Sequence, residues 1–228
     1  MQQVISKAEL FRLQAMSIHE KRLSANGFSR IAGIDEAGRG PLAGPVVAAA
    51  CILAKDCCFE HLNDSKQLTP EMRDRLFVEI TSHPEIRFGL GIIDVDTIDR
   101  VNILQATFLA MRQAVAEIGT PPDYLLIDGN QVPVFDIPVL AIVEGDSHSI
   151  SIAAASILAK VTRDRMMVEF DKKWPVYGFK KHKGYATAEH VEAIRKYGPC
   201  PIHRKSFEPV KSYYASAQIS LFTYTVSD

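Results

Sequence analysis

The chain is organised around Ile31-Ala32-Gly33-Ile34-Asp35-Glu36-Ala37-Gly38-Arg39-Gly40-Pro41-Leu42-Ala43-Gly44-Pro45. An apolar run typical of a buried strand meets two adjacent carboxylates and then enters a turn rich in glycine and proline. Because successive strand side chains point to opposite faces, Asp35 and Glu36 cannot line one surface within a regular strand. Either the strand ends or kinks here and its acids help to bind a metal, or the pair is a solvated strand end before a turn.

The turn that follows these acids has features that favour a ligand-binding site. Gly38, Gly40 and Gly44 let the backbone approach a ligand closely. Arg39 lies between two of these glycines, where its guanidinium can reach a phosphate. The two prolines of the turn stiffen its path. Together these features favour the metal-binding interpretation of the acids over the solvated one.

The segment also closely resembles the opening motif of ribonuclease HII, the type 2 ribonuclease H. The resemblance continues in Asp64-Ser65-Lys66, Ile127-Asp128-Gly129, Gly145-Asp146, residues 151–165, Gly184-Tyr185 and His203-Arg204-Lys205-Ser206-Phe207. It covers about residues 30–210. It implies a ribonuclease H-like fold and a metal-dependent endonuclease. Such an enzyme hydrolyses the RNA strand of RNA–DNA hybrids and cuts at ribonucleotides embedded in duplex DNA, leaving 5′-phosphate and 3′-hydroxyl ends.

The order of predicted elements favours an α/β fold independently of the resemblance. Strands are predicted from Ile31 to the Asp35-Glu36 pair and near residues 46–53, 86–93, 124–130 and 139–143. Helices are predicted from Thr69-Pro70, from residue 96 or 97 to about 118, and from Ser147 to Trp174. Strands in hairpin succession followed by alternating crossovers predict a mixed sheet flanked by helices, and small helices are expected in the C-terminal region.

We expect three parts along the chain. Residues 1–29 form an N-terminal helical extension with no expected chemistry, residues 30–215 form the type 2 ribonuclease H domain, and residues 216–228 form a tail. Within the domain, the catalytic α/β body extends to about residue 175, and a basic helical region that binds substrate follows it.

Composition limits the class of protein. The 228 residues are 47% hydrophobic, which is ample for a core. No apolar run of about 18 residues predicts a membrane span, and the N-terminus lacks a signal-peptide core, so we expect a cytoplasmic monomer without membrane contact. The four cysteines lack paired C-x-x-C spacing, so a structural zinc site is not expected.

The net charge of −1 is unevenly distributed. From Lys160 to Lys211 there are 13 lysines or arginines against 6 acids, whereas the rest of the chain has 13 against 21. A basic stretch is often only a solvated helix face. An acidic body with a basic C-terminal third nevertheless suits a metal site with a polyanion-binding surface.

Four acids fall at predicted strand ends: Asp35, Glu36, Asp128 and Asp146. Taken singly, Asp128 has an ordinary explanation as a turn residue and Asp146 as a helix N-cap. Carboxylates at the ends of neighbouring strands can converge, and such hard oxygen ligands suit Mg²⁺ or Mn²⁺. Two divalent ions about 4 Å apart would relieve the repulsion among the acids and clamp a phosphodiester. By resemblance, all four match the family's catalytic, metal-binding acids.

Choosing RNA over DNA requires recognition of the 2′-hydroxyl. The backbone of Gly38-Arg39-Gly40 can bind this group with no side chain in the way, and Tyr185 can stack on the neighbouring sugar or base. By resemblance, these elements recognise the junction where a ribonucleotide is followed by DNA, and Lys66 contacts the substrate backbone. Further candidates for phosphate contacts are Lys160, Arg163, Lys181, Lys183, His203 and Arg204.

The sequence departs from the family pattern at Gln67 and Glu144, where relatives commonly carry lysine. One alternative is a type 3 ribonuclease H, which usually has a larger N-terminal domain than residues 1–29 provide. A second is a non-catalytic protein that binds RNA–DNA hybrids, although the intact acids argue against it. A third is a DNA resolvase of the same fold, which would not need a 2′-hydroxyl.

Overall fold

The structure is a computed structural model that describes residues 6–55 and 57–215. The predicted tail at residues 216–228 therefore lies outside the described residues, as do the first five residues of the predicted extension. The strands are β1 (Ile31–Ala37), β2 (Val46–Ile52), β3 (Arg87–Ile93), β4 (Tyr124–Asp128) and β5 (Val139–Ile142). The helices are α1 (Lys7–Met16), α2 (Ile18–Ala25), α3 (Pro70–Ser82), α4 (Val95–Val101), α5 (Ile103–Glu117), α6 (Gly145–His148), α7 (Ile150–Lys173), α8 (Phe179–His182) and α9 (Ala188–Tyr197). Short 3₁₀ turns cover Ser65–Gln67 and Pro175–Tyr177.

The strands form one sheet in the order β3-β2-β1-β4-β5. β1 pairs antiparallel with β2 and parallel with β4, and β4 pairs parallel with β5. The predicted mixed sheet with flanking helices is therefore confirmed. Because β1, β4 and β5 run in one direction, their carboxyl ends meet at the same edge, which is where open α/β sheets place their sites.

The strand that carries the first two acids neither ends nor kinks at them, contrary to one of the two expectations. β1 continues through both residues, with Asp35 opposite Ala49 and Glu36 opposite Ala48. The ladder with β2 holds the backbone extended as far as Ala37. Side chains therefore alternate as in any strand, and Asp35 is buried whereas Glu36 is partly exposed. The other expectation, a solvated strand end, does not describe Asp35 either.

Two predicted helices are each divided in the structure. The expected helix from residue 96 to about 118 is interrupted at Asn102, whose φ is +69°. Its side-chain oxygen accepts from the Gln105 amide at 3.1 Å, so Asn102 begins the second helix. The expected helix from Ser147 to Trp174 is divided at Ser149, which has an extended backbone. A side-chain oxygen that binds a free amide at a helix start favours such a break over a continuous helix.

Helix α7 lies very close to β1 at its N-terminal end. A Cβ added to Gly33 would stand 2.0 Å from the carbonyl carbon of Ser151, so only glycine fits there. The residues that follow, Ala153, Ala154 and Ala155, are fully buried. The small alanine side chains of this helix therefore allow it to pack closely on the sheet.

The N-terminal extension supports the same end of α7. The Glu20 carboxylate accepts hydrogen bonds from the Ser149 hydroxyl at 2.5 Å, the Ser151 hydroxyl at 2.7 Å and the Ser151 amide at 3.1 Å. Leu13 and Met16 of α1 are buried. A carboxylate at the start of a helix also interacts favourably with the helix dipole. The extension therefore stabilises the helix that follows Asp146.

The chain divides into two compact units. The first unit comprises Met1–Ala37, Val47–Ile92 and Thr107–Thr162, and it contains nearly all of the sheet and the four acids. The second unit comprises Gly38–Val46, Ile93–Ala106 and Arg163–Asp228, and it contains the glycine-rich turn and the basic helical region. The core of the second unit includes Leu42, Met167 and Phe179.

Candidate active site

Asp35 is one of two of the four acids, with Asp146, that are buried and have a perturbed pKa. It is 5% exposed, its Oδ1 accepts from the Glu36 amide at 2.7 Å, and the Ser156 hydroxyl also binds it. Burial raises the pKa of Asp35 well above its usual range, and the charges of Glu36 and Asp128 raise it further. Three of the predicted acids therefore lie close enough to interact electrostatically.

Asp128 is the last residue of β4, and its carboxylate connects this strand to α6. Its Oδ1 accepts from the Gly145 amide at 2.6 Å, one residue before Asp146. Asp146 is itself 4% exposed, and burial raises its pKa. At the edge where β1, β4 and β5 end, a hydrogen bond therefore links the end of β4 to the start of α6, which carries Asp146.

The Asp64-Ser65-Lys66 segment delivers a cation to these acids. The Lys66 ammonium lies 3.2 Å from Oδ2 of Asp146 and 3.7 Å from Oδ1 of Asp64. Burial lowers the pKa of Lys66, but the charges of Asp146 and Asp64 outweigh it and raise that pKa to about 12. The Ser65 hydroxyl is 2.8 Å from the Ser156 hydroxyl, which connects the same segment to Asp35. Lys66 therefore neutralises part of the acidic charge.

The donor set at this edge suits a hard divalent cation by type and charge, because carboxylate oxygens that repel one another are stabilised by such an ion. In the part of the chain that the structure describes, however, no three or more His, Cys, Asp or Glu side chains are arranged to hold an ion as they stand. The charge beside Asp146 is supplied by Lys66 instead.

The glycine-rich turn in the second unit is held by two buried arginines. Arg204 donates to the carbonyl oxygens of Gly38 at 2.5 Å, Arg39 at 2.8 Å and Gly44 at 2.9 Å. Arg163 donates to the carbonyl oxygens of Pro45, Lys183 and Ala43, each at 3.0 Å. The turn is therefore fixed through its own carbonyl groups.

Burial changes the chemistry of both guanidinium groups. Arg163 is 1% exposed and Arg204 is fully buried. Burial lowers the pKa of Arg163 to about 10, and burial together with the charge of Arg163 lowers the pKa of Arg204 to about 9. The sequence predicts phosphate contacts for these two arginines, but in the structure their guanidinium groups donate hydrogen bonds to carbonyl oxygens of the turn. Their buried charge still makes the surrounding surface more positive.

Gly40 and Tyr185 are neighbours in the second unit. A Cβ added to Gly40 would lie 3.6 Å from Cε1 of Tyr185, and the Tyr185 side chain is half exposed. Arg39 is exposed between the two glycines. The structure thus brings together three of the residues predicted to recognise the 2′-hydroxyl.

The other predicted contacts are dispersed. Lys181 is exposed and pairs with Glu189 at 2.6 Å, whereas Lys183 is partly buried and donates to the Lys180 carbonyl. Lys160 lies in the first unit and is partly buried, and His203 in the second unit is 1% exposed.

The two departures from the family pattern are both on the surface. Gln67 is exposed and accepts from the Asn63 amide at 3.2 Å. Glu144 is exposed, with a left-handed φ of 54°, directly before α6. Neither residue replaces one of the four acids.

A family model described as Ribonuclease HII matches residues 32–210 of this chain. The chain belongs to the ribonuclease HII family. Ribonuclease HII of Chlamydia pneumoniae is 53% identical to it over 210 residues, which is 92% of this chain and 98% of that protein. Ribonuclease HII of Acetivibrio thermocellus is 56% identical over 199 residues, covering 87% and 77% of the two chains.

Solved structures agree with the fold. The crystal structure of ribonuclease H2 from Pyrococcus horikoshii OT3 superposes with a TM-score of 0.69 at 26% identity, covering 83% of this chain and 99% of that one. As a ribonuclease HII, the chain is a ribonuclease H endonuclease, an enzyme class that acts on RNA–DNA hybrids. Within residues 6–55 and 57–215, no helix has the length and apolar character needed to cross a bilayer.

Sequence reasoning missed three contributions to the site. Ser156, which binds Asp35, gave no signal beyond its place in a matching block. The buried guanidinium groups of Arg163 and Arg204 were interpreted as surface charges, because charge alone does not reveal burial. Glu20 was assigned to an extension without chemistry, although it binds the start of α7.

Proposed function

We propose that this ribonuclease HII hydrolyses phosphodiesters with Mg²⁺ or Mn²⁺ held by Asp35, Glu36, Asp128 and Asp146. We further propose that it cuts duplex DNA at single embedded ribonucleotides, leaving 5′-phosphate and 3′-hydroxyl ends. The observation that carries the proposal is the buried Asp35 carboxyl, whose pKa is raised by burial and by two neighbouring carboxylates. Such a repulsive cluster costs stability unless a cation neutralises it.

The residues of the cluster have separable tasks. Bound divalent ions would supply charge stabilisation for the attacking and leaving oxygens of the phosphodiester. The four acids would hold those ions, and Ser156 and the Gly145 amide orient Asp35 and Asp128. Lys66 neutralises Asp146 in the described arrangement. Its side chain is nevertheless 75% exposed. That exposure allows it to contact a phosphate as well.

Recognition of the ribonucleotide is assigned to the turn that follows the acids along the chain. Arg204 and Arg163 occupy carbonyl groups of this turn, so its remaining backbone groups are held in fixed positions. Gly40 and Arg39 are exposed there, and Gly40 places no side chain before a 2′-hydroxyl. Tyr185 beside Gly40 would pack on the adjoining sugar or base.

The proposed activity predicts a defined cutting pattern. On a DNA duplex that contains one ribonucleotide, we expect a single cut at that ribonucleotide in Mg²⁺ and in Mn²⁺, and no cut in the matching all-DNA duplex. The measurement is gel mapping of the labelled strand with end-group analysis. Equal cutting of the all-DNA duplex would favour a resolvase, and binding without any cut would favour a non-catalytic protein.

The basic region of the second unit predicts salt-dependent binding. Each lysine that neutralises a phosphate releases a counterion, so affinity should fall steeply as salt rises. Lys183→Gln or Lys181→Gln should lower the slope of log K against log salt by about 1. Titration by fluorescence anisotropy at several salt concentrations measures this slope. Lys21→Gln, an exposed lysine of the extension, is the matched control and should leave it unchanged.

We also place the protein in the cytoplasm. Cys51 and Cys200 are buried free thiols. Free thiols are typical of a reducing compartment. The proposed substrate, ribonucleotide-containing duplex DNA, is found with the chromosome.

A further inference from the structure

Three buried histidines form an array in the second unit, in which His190 and His203 are hydrogen-bonded and His182 stacks on His190. His182, His190 and His203 are 8%, 0% and 1% exposed. The rings of His182 and His190 stack with centroids 4.4 Å apart, and those of His190 and His203 are 5.2 Å apart. The array ends on the backbone of Gly184 and Tyr185.

The partners of His190 determine where its proton lies. Its Nδ1 is 2.9 Å from the carbonyl oxygen of Tyr185, and a carbonyl can only accept, so Nδ1 carries the hydrogen. In a neutral ring Nε2 is then an acceptor. The Nε2 atom of His203 lies 3.0 Å away and must be the donor. The hydrogen bond between the two rings therefore points from His203 to His190.

The environment of His203 agrees with this direction. With hydrogen on Nε2, its Nδ1 must accept, and the Cys200 amide donates to it at 2.9 Å. The Cys200 thiol also lies 3.2 Å from Nδ1, and burial raises the pKa of this thiol to about 11, so it stays protonated. Donation thus runs from Cys200 through His203 and His190 to the carbonyl of Tyr185.

His182 binds the other side of the same peptide segment. Its Nε2 donates to the carbonyl oxygen of Tyr177 at 2.7 Å, and its Nδ1 accepts from the Gly184 amide at 3.1 Å. The Gly184 amide and the Tyr185 carbonyl are therefore each bound by an imidazole ring. Adding a proton to His190 or His203 would set two N–H groups against each other. Burial accordingly lowers the pKa of His190 and His203 to about 4.

We propose that His182, His190 and His203 are positioning residues that fix the backbone of Gly184 and Tyr185 and thereby hold the Tyr185 ring beside Gly40. This inference rests on the proposed contact of Tyr185 with the substrate. Leucine would fill a similar volume at these positions. At position 182 it would leave the buried Gly184 amide without its partner, and at position 190 it would leave the Tyr185 carbonyl with only the Thr187 amide as a donor, so the segment would shift.

The test compares two substitutions at one position. His190→Leu removes the donor to Tyr185, and we expect kcat/KM on the single-ribonucleotide duplex to fall about 10- to 100-fold, because small displacements of substrate-contacting groups are costly. His190→Asn keeps an amide N–H near the position of Nδ1 and should restore most of the rate. Binding of the all-DNA duplex should be the same for both variants and the parent.

A Tyr185→Ala background separates the inference from the proposed function. There His190→Leu should cause no further loss. If Tyr185→Ala slows cleavage but His190→Leu cuts at the parent rate, the positioning role is wrong. If Tyr185→Ala itself cuts at the parent rate, the proposed contact of Tyr185 fails, and the inference fails with it.

A spectroscopic measurement on the parent protein needs no variant. The ¹⁵N shifts of the imidazoles should show hydrogen on Nδ1 of His190 and on Nε2 of His182 and His203 at neutral pH. Hydrogen on Nε2 of His190, or a second ring proton on His190 or His203, would overturn the proposed network even if the substituted proteins failed to fold.

Discussion

Replacing Asp35 or Asp128 by asparagine is expected to lower the cleavage rate of an RNA–DNA hybrid by about 1000-fold or more. Each substitution removes a carboxylate that we propose as a metal ligand while keeping the size of the side chain. Metal ions contribute several kcal/mol of transition-state stabilisation, and each 1.4 kcal/mol corresponds to about a factor of 10 in rate. Single-turnover cleavage in Mg²⁺ measures the effect.

The fold should withstand the Asp35 substitution, because the ionised carboxylate destabilises the protein without a cation. The pKa of Asp35 is raised in the folded state, so the folded protein holds this proton more tightly than the unfolded chain. Stability is therefore greatest below the usual pKa of an aspartate and declines as the pH rises towards the raised value. At neutral pH, Asp35→Asn should melt at or above the parent temperature in the absence of divalent ions, and the difference should shrink on acidification.

Controls separate loss of a ligand from a general effect of charge. Asp136 is exposed, and Asp136→Asn should cut at the parent rate. Adding Mg²⁺ should raise the melting temperature of the parent more than that of Asp35→Asn, since an ion stabilises only a state that binds it. Cleavage by Asp35→Asn or Asp128→Asn near the parent rate would show that these acids do not carry the chemistry.

Much of the fold was predictable because local signals and tertiary packing agree. Thr69 accepts from the Met72 amide and Pro70 begins α3, as the capping pattern predicts. The uniformly apolar β2 is buried at every position, since small side chains suit a central strand. The alternation of predicted strands and helices predicts the mixed sheet that is observed.

The parts that were not predictable depend on contacts far apart in sequence. Nothing near Arg204 indicates that its guanidinium binds the carbonyl of Gly38, 166 residues away. The continuation of β1 past Asp35 depends on its ladder with β2, which overrides the glycine-rich turn that follows. The carboxylates could be placed near the carboxyl ends of β1, β4 and β5, but their side-chain orientation depends on partners such as Ser156 and Gly145.

Gly38 and Gly40 of the glycine-rich turn are not equivalent, although the sequence treats them alike. Gly38 has a φ of +95°, and an added Cβ would stand 2.0 Å from Nε of Arg163. Gly38→Ala would therefore disturb the arginine that fixes the turn, and a loss of activity would have a structural cause. At Gly40 the added Cβ meets only Cε1 of Tyr185, at an ordinary 3.6 Å. Gly40→Ala is thus the substitution that leaves the protein intact and tests close approach by a ligand.

We expect Gly40→Ala to reduce cleavage of a single-ribonucleotide duplex by about 100-fold, since a methyl group at the 2′-hydroxyl would displace the reacting phosphate by about 1 Å. Affinity for the all-DNA duplex should change little, because phosphate contacts dominate binding. The melting temperature should match the parent, whereas Gly38→Ala should melt lower. The measurements are cleavage rate, duplex affinity and thermal melting for each variant. Parent-rate cleavage by Gly40→Ala would place recognition of the 2′-hydroxyl elsewhere, whereas equal losses of cleavage and DNA affinity would make the turn a general binding surface.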